Sequence, residues 1–271
     1  MFTDAKTHQK IAALMQRVLI VDPQPAAIKL LSELLRDVSH CQIWTAIEAR
    51  AALTLAERIE PHLIFVEQCP GVDGARFTKE LRRSDLRCRK AAVIMISAEA
   101  TAASIIGARD AGVHEFLRKP FTIKDLVRRL EAVALRPRDW VEGINYVGPD
   151  RRRFNSGDYS GTLKRRVDHA ETPDDGRIVQ ALKILRAAVG VIGDDPRQAL
   201  RALTAQVEEL TVVAMKKNDM GLRAEAVALG QKLYGLDAIL LRRSEIEPLA
   251  APLLARLPTD EGSAAAQRPA A

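Results

Sequence analysis

The sequence predicts an α/β chain: a doubly wound parallel sheet followed by a small α-helical bundle. Three observations carry that expectation. Strand-like and helix-like patterns alternate over residues 17–136, which implies crossover units and a parallel sheet. Four apolar runs within that stretch each stop on a polar side chain. From Gly176 onward, apolar residues recur at helical spacing.

The elements follow in order. Residues 18–21 (Val-Leu-Ile-Val) form a strand closed by Asp22, and Pro25 suits the first turn of a helix over 26–38, where Ile28, Leu31, Leu34 and Leu35 share one face. Residues 62–66 form a second run closed by Glu67. The loop after it, Gln-Cys-Pro-Gly-Val-Asp-Gly (68–74), is rich in turn formers, and Asp73-Gly74 leads into a helix over 75–83. Residues 93–96 end at Ser97 and precede a helix over 100–111; residues 115–118 end at Lys119-Pro120 and precede a helix over 123–134. Asp22, Glu67, Ser97 and Lys119 therefore meet at the carboxyl edge of the sheet, where open parallel sheets bind ligands.

Asp22, Glu67, Pro70, Asp73-Gly74, Ala111-Gly112, Ser97, Phe116 and Lys119-Pro120-Phe121 are the residues by which 17–136 resembles the response-regulator receiver family, the CheY-like domain of two-component signalling. The resemblance implies a five-stranded flavodoxin-like (βα)5 sheet around an acidic pocket. In that family an aspartate at position 67 would accept a phosphoryl group with help from Mg²⁺, and Ser97 and Phe116 hold the positions that couple the pocket to the surface. A histidine kinase or a downstream effector is the implied partner. Two departures stand out: Glu67 replaces the acceptor aspartate, and Pro23 replaces the second member of the acidic pair.

Mg²⁺ wants near-octahedral oxygen ligands, and Pro23 leaves only Asp22 and Glu67 to supply carboxylates, so metal binding is expected to be none or weak. The Glu67 carboxylate is also displaced by one methylene, and a misplacement of about 1 Å costs about 10²-fold in a geometry-limited reaction. Phosphoryl transfer is thus not expected, and the chain reads as a non-enzymatic pseudo-receiver acting by protein–protein interaction. The longer side chain carries a negative oxygen into the phosphoryl volume, where Ser97 donates a hydrogen bond and Lys119 pairs with the charge. Glu67 then acts as a built-in phosphomimic; the competing readings are an inert scaffold and a receiver with residual phosphotransfer activity.

At 271 residues and 47% hydrophobic content, the chain has room for one full core and a smaller second one. Cys41, Cys69 and Cys88 are scattered and odd in number, which argues against a disulfide framework and for a reducing cytoplasm. The first ten residues lack an apolar signal core, and no membrane segment is expected. His40, His62 and His114 read as structural.

The organisation expected is an N-terminal extension (1–16), the receiver-like domain (17–136), a basic flexible linker (137–175), a helical bundle (176–257) and a disordered tail (258–271). The net charge of +6 concentrates in two places: Arg82, Arg83, Arg87, Arg89 and Lys90, and the linker residues Arg151, Arg152, Arg153, Lys164, Arg165 and Arg166. Either set reads as solvated charge or as a site for phosphates. The linker also faintly resembles the PilZ cyclic-di-GMP signature, with arginines before Asp158 and Ser160 but Leu163 where a glycine belongs. A cyclic dinucleotide or nucleic acid is therefore an alternative partner.

In the bundle, one stripe is Ile178, Leu182, Leu185, Val189 and Ile192. A second follows Asp195-Pro196 with Leu200, Leu203, Val207 and Leu210, and a third runs from Leu222 through Leu240; Ser244 and Glu247 suggest a capping box for a fourth helix. No histidine follows His169, which excludes histidine phosphotransfer chemistry there. The stripes fill the bundle's own core, with homodimerisation as the second reading.

Overall fold

The computed structural model describes residues 5–151 and 173–258. They fall into two compact units, one of residues up to 141 with 146–151, the other of 142–145 with 173–258. In the first unit α1 (Ala5–Leu14) precedes β1 (Arg17–Val21), α2 (Pro25–Val38), β2 (Gln42–Ala46), α3 (Ala49–Ile59) and β3 (Leu63–Cys69). A short β4 (Val72–Asp73) leads to α4 (Gly74–Arg83), β5 (Ala92–Ser97), α5 (Ala102–Asp110), β6 (Glu115–Arg118) and α6 (Ile123–Leu135). Five strands run parallel in the order β2-β1-β3-β5-β6, and β4 folds back antiparallel on β3. This is the flavodoxin-like, doubly wound order.

Successive strand residues point to opposite faces, and the sheet divides its apolar residues accordingly. Leu19, Val21, Ile64, Val66, Val93 and Met95 join Ala52 and Ala56 of α3 and Phe77 and Leu81 of α4 in one core. Val18, Ile20, Phe65, Ile94 and Ile96 join Leu31 and Leu35 of α2 and Leu126 and Leu130 of α6 in the other. Local signals set the helix starts: Pro25 occupies the first turn of α2, the Asp73 carboxylate accepts from Arg76 N at 3.0 Å, and Thr122 with Asp125 forms a capping box on α6.

Helix α1 corrects the expectation of an N-terminal extension. Ile11 and Met15, one helical turn apart, are fully buried in the core that α2 and α6 share, and α1 packs on α6. The flexible linker expected from 137 is also corrected in its first part. Strands β7 (Trp140–Glu142) and β8 (Val147–Pro149) pair, and Tyr146 and Val147 are buried. Gly112 makes this possible: its φ is +91°, and a Cβ there would lie 2.7 Å from the Val147 carbonyl oxygen. Residues 152–172, with Arg152, Arg153, Asp158 and Ser160, lie outside the described residues, as does 259–271.

The second unit contains α7 (Pro173–Gly190), α8 (Pro196–Lys217), α9 (Met220–Leu233) and α10 (Arg243–Leu254). Leu182, Leu185, Leu203, Leu210, Leu222, Leu229 and Ile246 fill its centre. Asp195 caps α8 through Gln198 N at 3.1 Å, while Asn218 at φ +57° and Asp219, which accepts from Leu222 N at 2.8 Å, turn the chain from α8 into α9. Two details differ from the sequence reading. Helix α9 ends at Leu233, before Gly235 at φ +67°; Leu236 still packs against the core, whereas Leu240 lies in an exposed 3₁₀ turn. Ser244 lies inside α10, so the expected capping box is not formed; Arg242 takes the cap position without a side-chain bond.

Glu142 is buried in this second unit. Gln198 Nε2 donates to its Oε1 at 3.1 Å and to the Gly143 carbonyl at 3.0 Å, and Gln206 Nε2 donates to the Glu142 carbonyl at 3.2 Å. No described helix is long and apolar enough to cross a membrane.

Candidate functional site

Strand register brings the expected residues together. Val21 pairs with Val66, Glu67 with Ile96, and Ser97 with Arg118, so Asp22, Glu67, Ser97 and Lys119 lie in one layer across four positions of the parallel sheet. Backbone bonds fix the layer's two ends: Asp22 N donates to Ala46 O at 3.1 Å and Lys119 N to Ser97 O at 2.8 Å. Gly74 lets the following loop close tightly, because a Cβ there would stand 2.5 Å from the Glu67 carbonyl oxygen.

The electrostatic centre is a triad. Lys119 Nζ lies 3.2 Å from Asp22 Oδ2 and directly against Glu67 Oε2, with both carboxylates buried and the ammonium partly exposed. Asp22 Oδ1 is held separately by Gln24 N at 2.8 Å. Burial pushes the Glu67 carboxyl above its ordinary range; Lys119 opposes that shift and Asp22 adds to it. Burial works against the Lys119 charge, but the two carboxylates outweigh it and raise its pKa. The cation is therefore locked in the charged state between two acids.

The expected Ser97–Glu67 contact is not made. Ser97 Oγ donates to Gln68 O at 3.0 Å and accepts from Glu99 N at 3.1 Å, which commits the hydroxyl to the loops beside the pocket while Glu67 turns to Lys119. Phe116 is buried with Met95, Ala108 and Val113. Arg151, expected to bind anions, instead pairs with Asp110 Oδ1 at 3.0 Å and stacks on Tyr146, 4.5 Å from the ring centre.

The donor set does not fit a Mg²⁺ site. Only two carboxylates converge, an ammonium contacts both, and the following residue is Pro23. Among the described residues, no group of three or more His, Cys, Asp or Glu is placed to hold a metal.

A second polar centre escaped the sequence reading, where Arg82 was one member of a basic run. Its guanidinium is fully buried and donates to Gly112 O at 3.0 and 2.9 Å, Arg89 O at 2.6 Å and Ala91 O at 2.9 Å. It also meets His114 Nδ1 at 3.2 Å, and Trp140 lies over it with the ring centre 5.3 Å away. His114 Nδ1 faces Val93 N at 3.1 Å as well, so that nitrogen is the acceptor and the ring is neutral. The only warning in the sequence was Arg82's place on the helix face that carries Thr78, one turn earlier.

Burial, then Arg82 and Arg138, hold the His114 pKa well below its ordinary value. An unfolded chain takes up a proton there below about pH 6.5 while the folded one does not, so stability should fall with decreasing pH, by up to about 1.4 kcal/mol per unit. Urea unfolding near pH 7.5 and near pH 5.5 checks this against His114→Gln, which has no imidazole to protonate. An identical pH dependence in both proteins would rule the assignment out.

Residues 18–131 match the family model of the response regulator receiver domain. The chain is 31% identical over 118 residues to a probable chemotaxis protein CheY of Rhizobium etli, covering 43% of this chain and 91% of that protein. It is 31% identical over 123 residues to the DNA-binding dual master transcriptional regulator RpaA of Synechocystis sp., 45% of this chain but only 50% of that protein. The chain thus spans half the length of the Synechocystis regulator it matches. Among solved structures, a putative response regulator from Chloroflexus aurantiacus aligns with a TM-score of 0.41 and 25% identity, over 45% of this chain and 98% of that one.

Proposed function

Since the chain belongs to the response regulator receiver family through residues 18–131, we propose that it is an atypical response regulator whose pocket works without phosphorylation. The Lys119 bridge to Glu67 and Asp22 is the observation that carries this reading. A glutamate at position 67 places its carboxylate against the lysine, so the negative charge that a phosphoryl group would bring is supplied by the sequence itself. A carboxylate has one charge, against about −1.5 to −2 for a phosphoryl group, so the mimicry is partial.

The output is protein–protein interaction in the cytoplasm, with a kinase or effector on the receiver unit and the C-terminal helices as an output or dimerisation module. Support for the latter comes from Val212, Met215 and Met220, which are half or more exposed on α8 and α9. The basic-linker alternative is weakened by Arg151, whose charge is already paired with Asp110.

Incubation with acetyl phosphate and Mg²⁺ tests the proposal directly. The intact mass is expected to remain that of the unmodified chain. A stoichiometric gain of one phosphoryl group, lost in Glu67→Ala, would favour residual phosphotransfer and overturn the reading. Pro23→Asp with Glu67→Asp is the variant expected to regain metal-dependent modification, because it restores both missing features together.

A further inference from the structure

At the amino ends of the strands, opposite the Glu67 pocket, the first unit has a cleft of about 430 Å³. Three separate segments place cations on it: Arg17 opens β1, Arg87 and Lys90 lie in the 3₁₀ turn after α4, and Arg136 and Arg138 follow α6. Only two carboxylates line the same space, Glu60 and Glu115. Glu115 is engaged by Arg129 at 3.3 Å, and Glu60 reaches only Arg87, at 3.6 Å.

Arg87 and Arg138 face Glu60 and Glu115, whereas Arg17 and Lys90 are held by neutral groups. Arg17 Nε donates to the Glu60 carbonyl at 2.8 Å, Arg138 donates to the carbonyls of His114 and Asp150, and Lys90 lies 5.6 Å from the centre of the Trp140 ring. Arg136 is exposed and has no partner among the described residues. His62 adds a second kind of evidence. Its Nδ1 has no hydrogen-bond partner in the protein, and burial, then Arg17, lowers its pKa and favours the neutral ring, so a turn of the side chain toward the cleft would give it a ligand oxygen or hydroxyl to bond. Leu14, Val133 and Pro137 give the cleft an apolar side.

We propose that this cleft binds a small organic phosphate of nucleotide size, its phosphates on the Arg17, Arg87, Lys90 and Arg136 side chains and its organic part against Leu14 and Val133. The volume is within the range of small-molecule sites, and a few polar groups on a partly apolar wall are their usual composition. The site is separate from the Glu67 pocket and stands whether or not that pocket accepts phosphate.

Calorimetric titration of the full chain with ATP in EDTA, and in parallel with pyrophosphate, tests it. ATP is expected to bind, more tightly than pyrophosphate and more weakly as salt rises. Arg87→Glu with Arg136→Glu should weaken ATP at least tenfold, since neither side chain has a structural bond that the fold needs. Lys29→Glu with Arg36→Glu, two exposed α2 positions off the cleft, makes the same change in net charge and should leave the affinity unaltered. In a folded protein, an absence of heat with ATP at millimolar concentration, or pyrophosphate binding as tightly as ATP, would overturn the assignment. So would equal losses in the two charge-reversed proteins, or displacement of ATP by duplex DNA at lower concentration.

Discussion

Replacing Arg82 with methionine is expected to destabilise the receiver unit by about 3–5 kcal/mol, at the upper end of what single substitutions do. The guanidinium satisfies three carbonyl oxygens and a histidine nitrogen in a place that water does not reach. Methionine fills much of the volume but leaves the three carbonyl oxygens without this donor, each costing about 1–3 kcal/mol before relaxation, while His114 Nδ1 keeps Val93 N. Burial pushes the Arg82 pKa down to about 9, still above neutral, so the lost group is a charged donor. Arg82→Lys retains a charge but not the planar fork that reaches Gly112 and Ala91 together, and should lose most of the same stability. Thermal unfolding followed by circular dichroism should show a midpoint lower by roughly 10 °C in both variants. A drop of only one or two degrees would mean that the surrounding carbonyls find other partners.

The second large effect is at the pocket. Lys119→Met removes the one cation bonded to Glu67 and Asp22 and leaves two buried carboxylates facing each other. Breaking a buried pair from one side costs about 3–5 kcal/mol, and the part exposure of Lys119 places the loss near the lower figure. The penalty is tied to ionisation. Glu67 without Lys119 has a pKa still further above that of the unfolded chain, so the variant should regain stability relative to the parent as pH falls and the carboxyl takes up its proton. Adding Glu67→Gln to Lys119→Met should recover a large part of the loss at neutral pH. Urea titrations of the three proteins measure this, and a double variant no more stable than Lys119→Met would show that the cost is not electrostatic.

The parallel sheet was legible because three of its strands carry continuous apolar runs with a polar stop, a pattern that buried strands impose, and Glu115–Arg118 carries a shorter one before Lys119. Strand β2 leaves little trace in the sequence: Gln42-Ile-Trp-Thr-Ala is an edge strand with mostly half-buried or exposed positions, so no apolar run announces it. The order of functional residues gave the pocket's members, but not their pairings. Whether Glu67 meets Ser97 or Lys119 depends on side-chain reach and on the Gln68 carbonyl, which competes for the hydroxyl. Arg82 was hidden for a different reason: in a list of basic residues a buried guanidinium and a solvated one look alike, and only the convergence of Gly112, Ala91 and His114 separates them. Helix α1 left a trace, Ile11 and Met15 one turn apart, too short to compete with a polar leader.

The excursion of residues 142–145 bears on how this protein can be divided. Sequence order runs from the first unit into the second at Glu142 and returns at Tyr146, and the second unit's described helices begin at Pro173. Scission before Trp140 would strip the sheet unit of the indole over Arg82 and of the Val147 carbonyl that Gly112 accommodates. Scission after Arg151 would leave the helices without the Glu142 that Gln198 and Gln206 bind. The two halves are spliced rather than strung together, so fragments made at either boundary report on damaged pieces, and a recombination or gene-fusion event that exchanged one half alone would have to carry this four-residue loan with it.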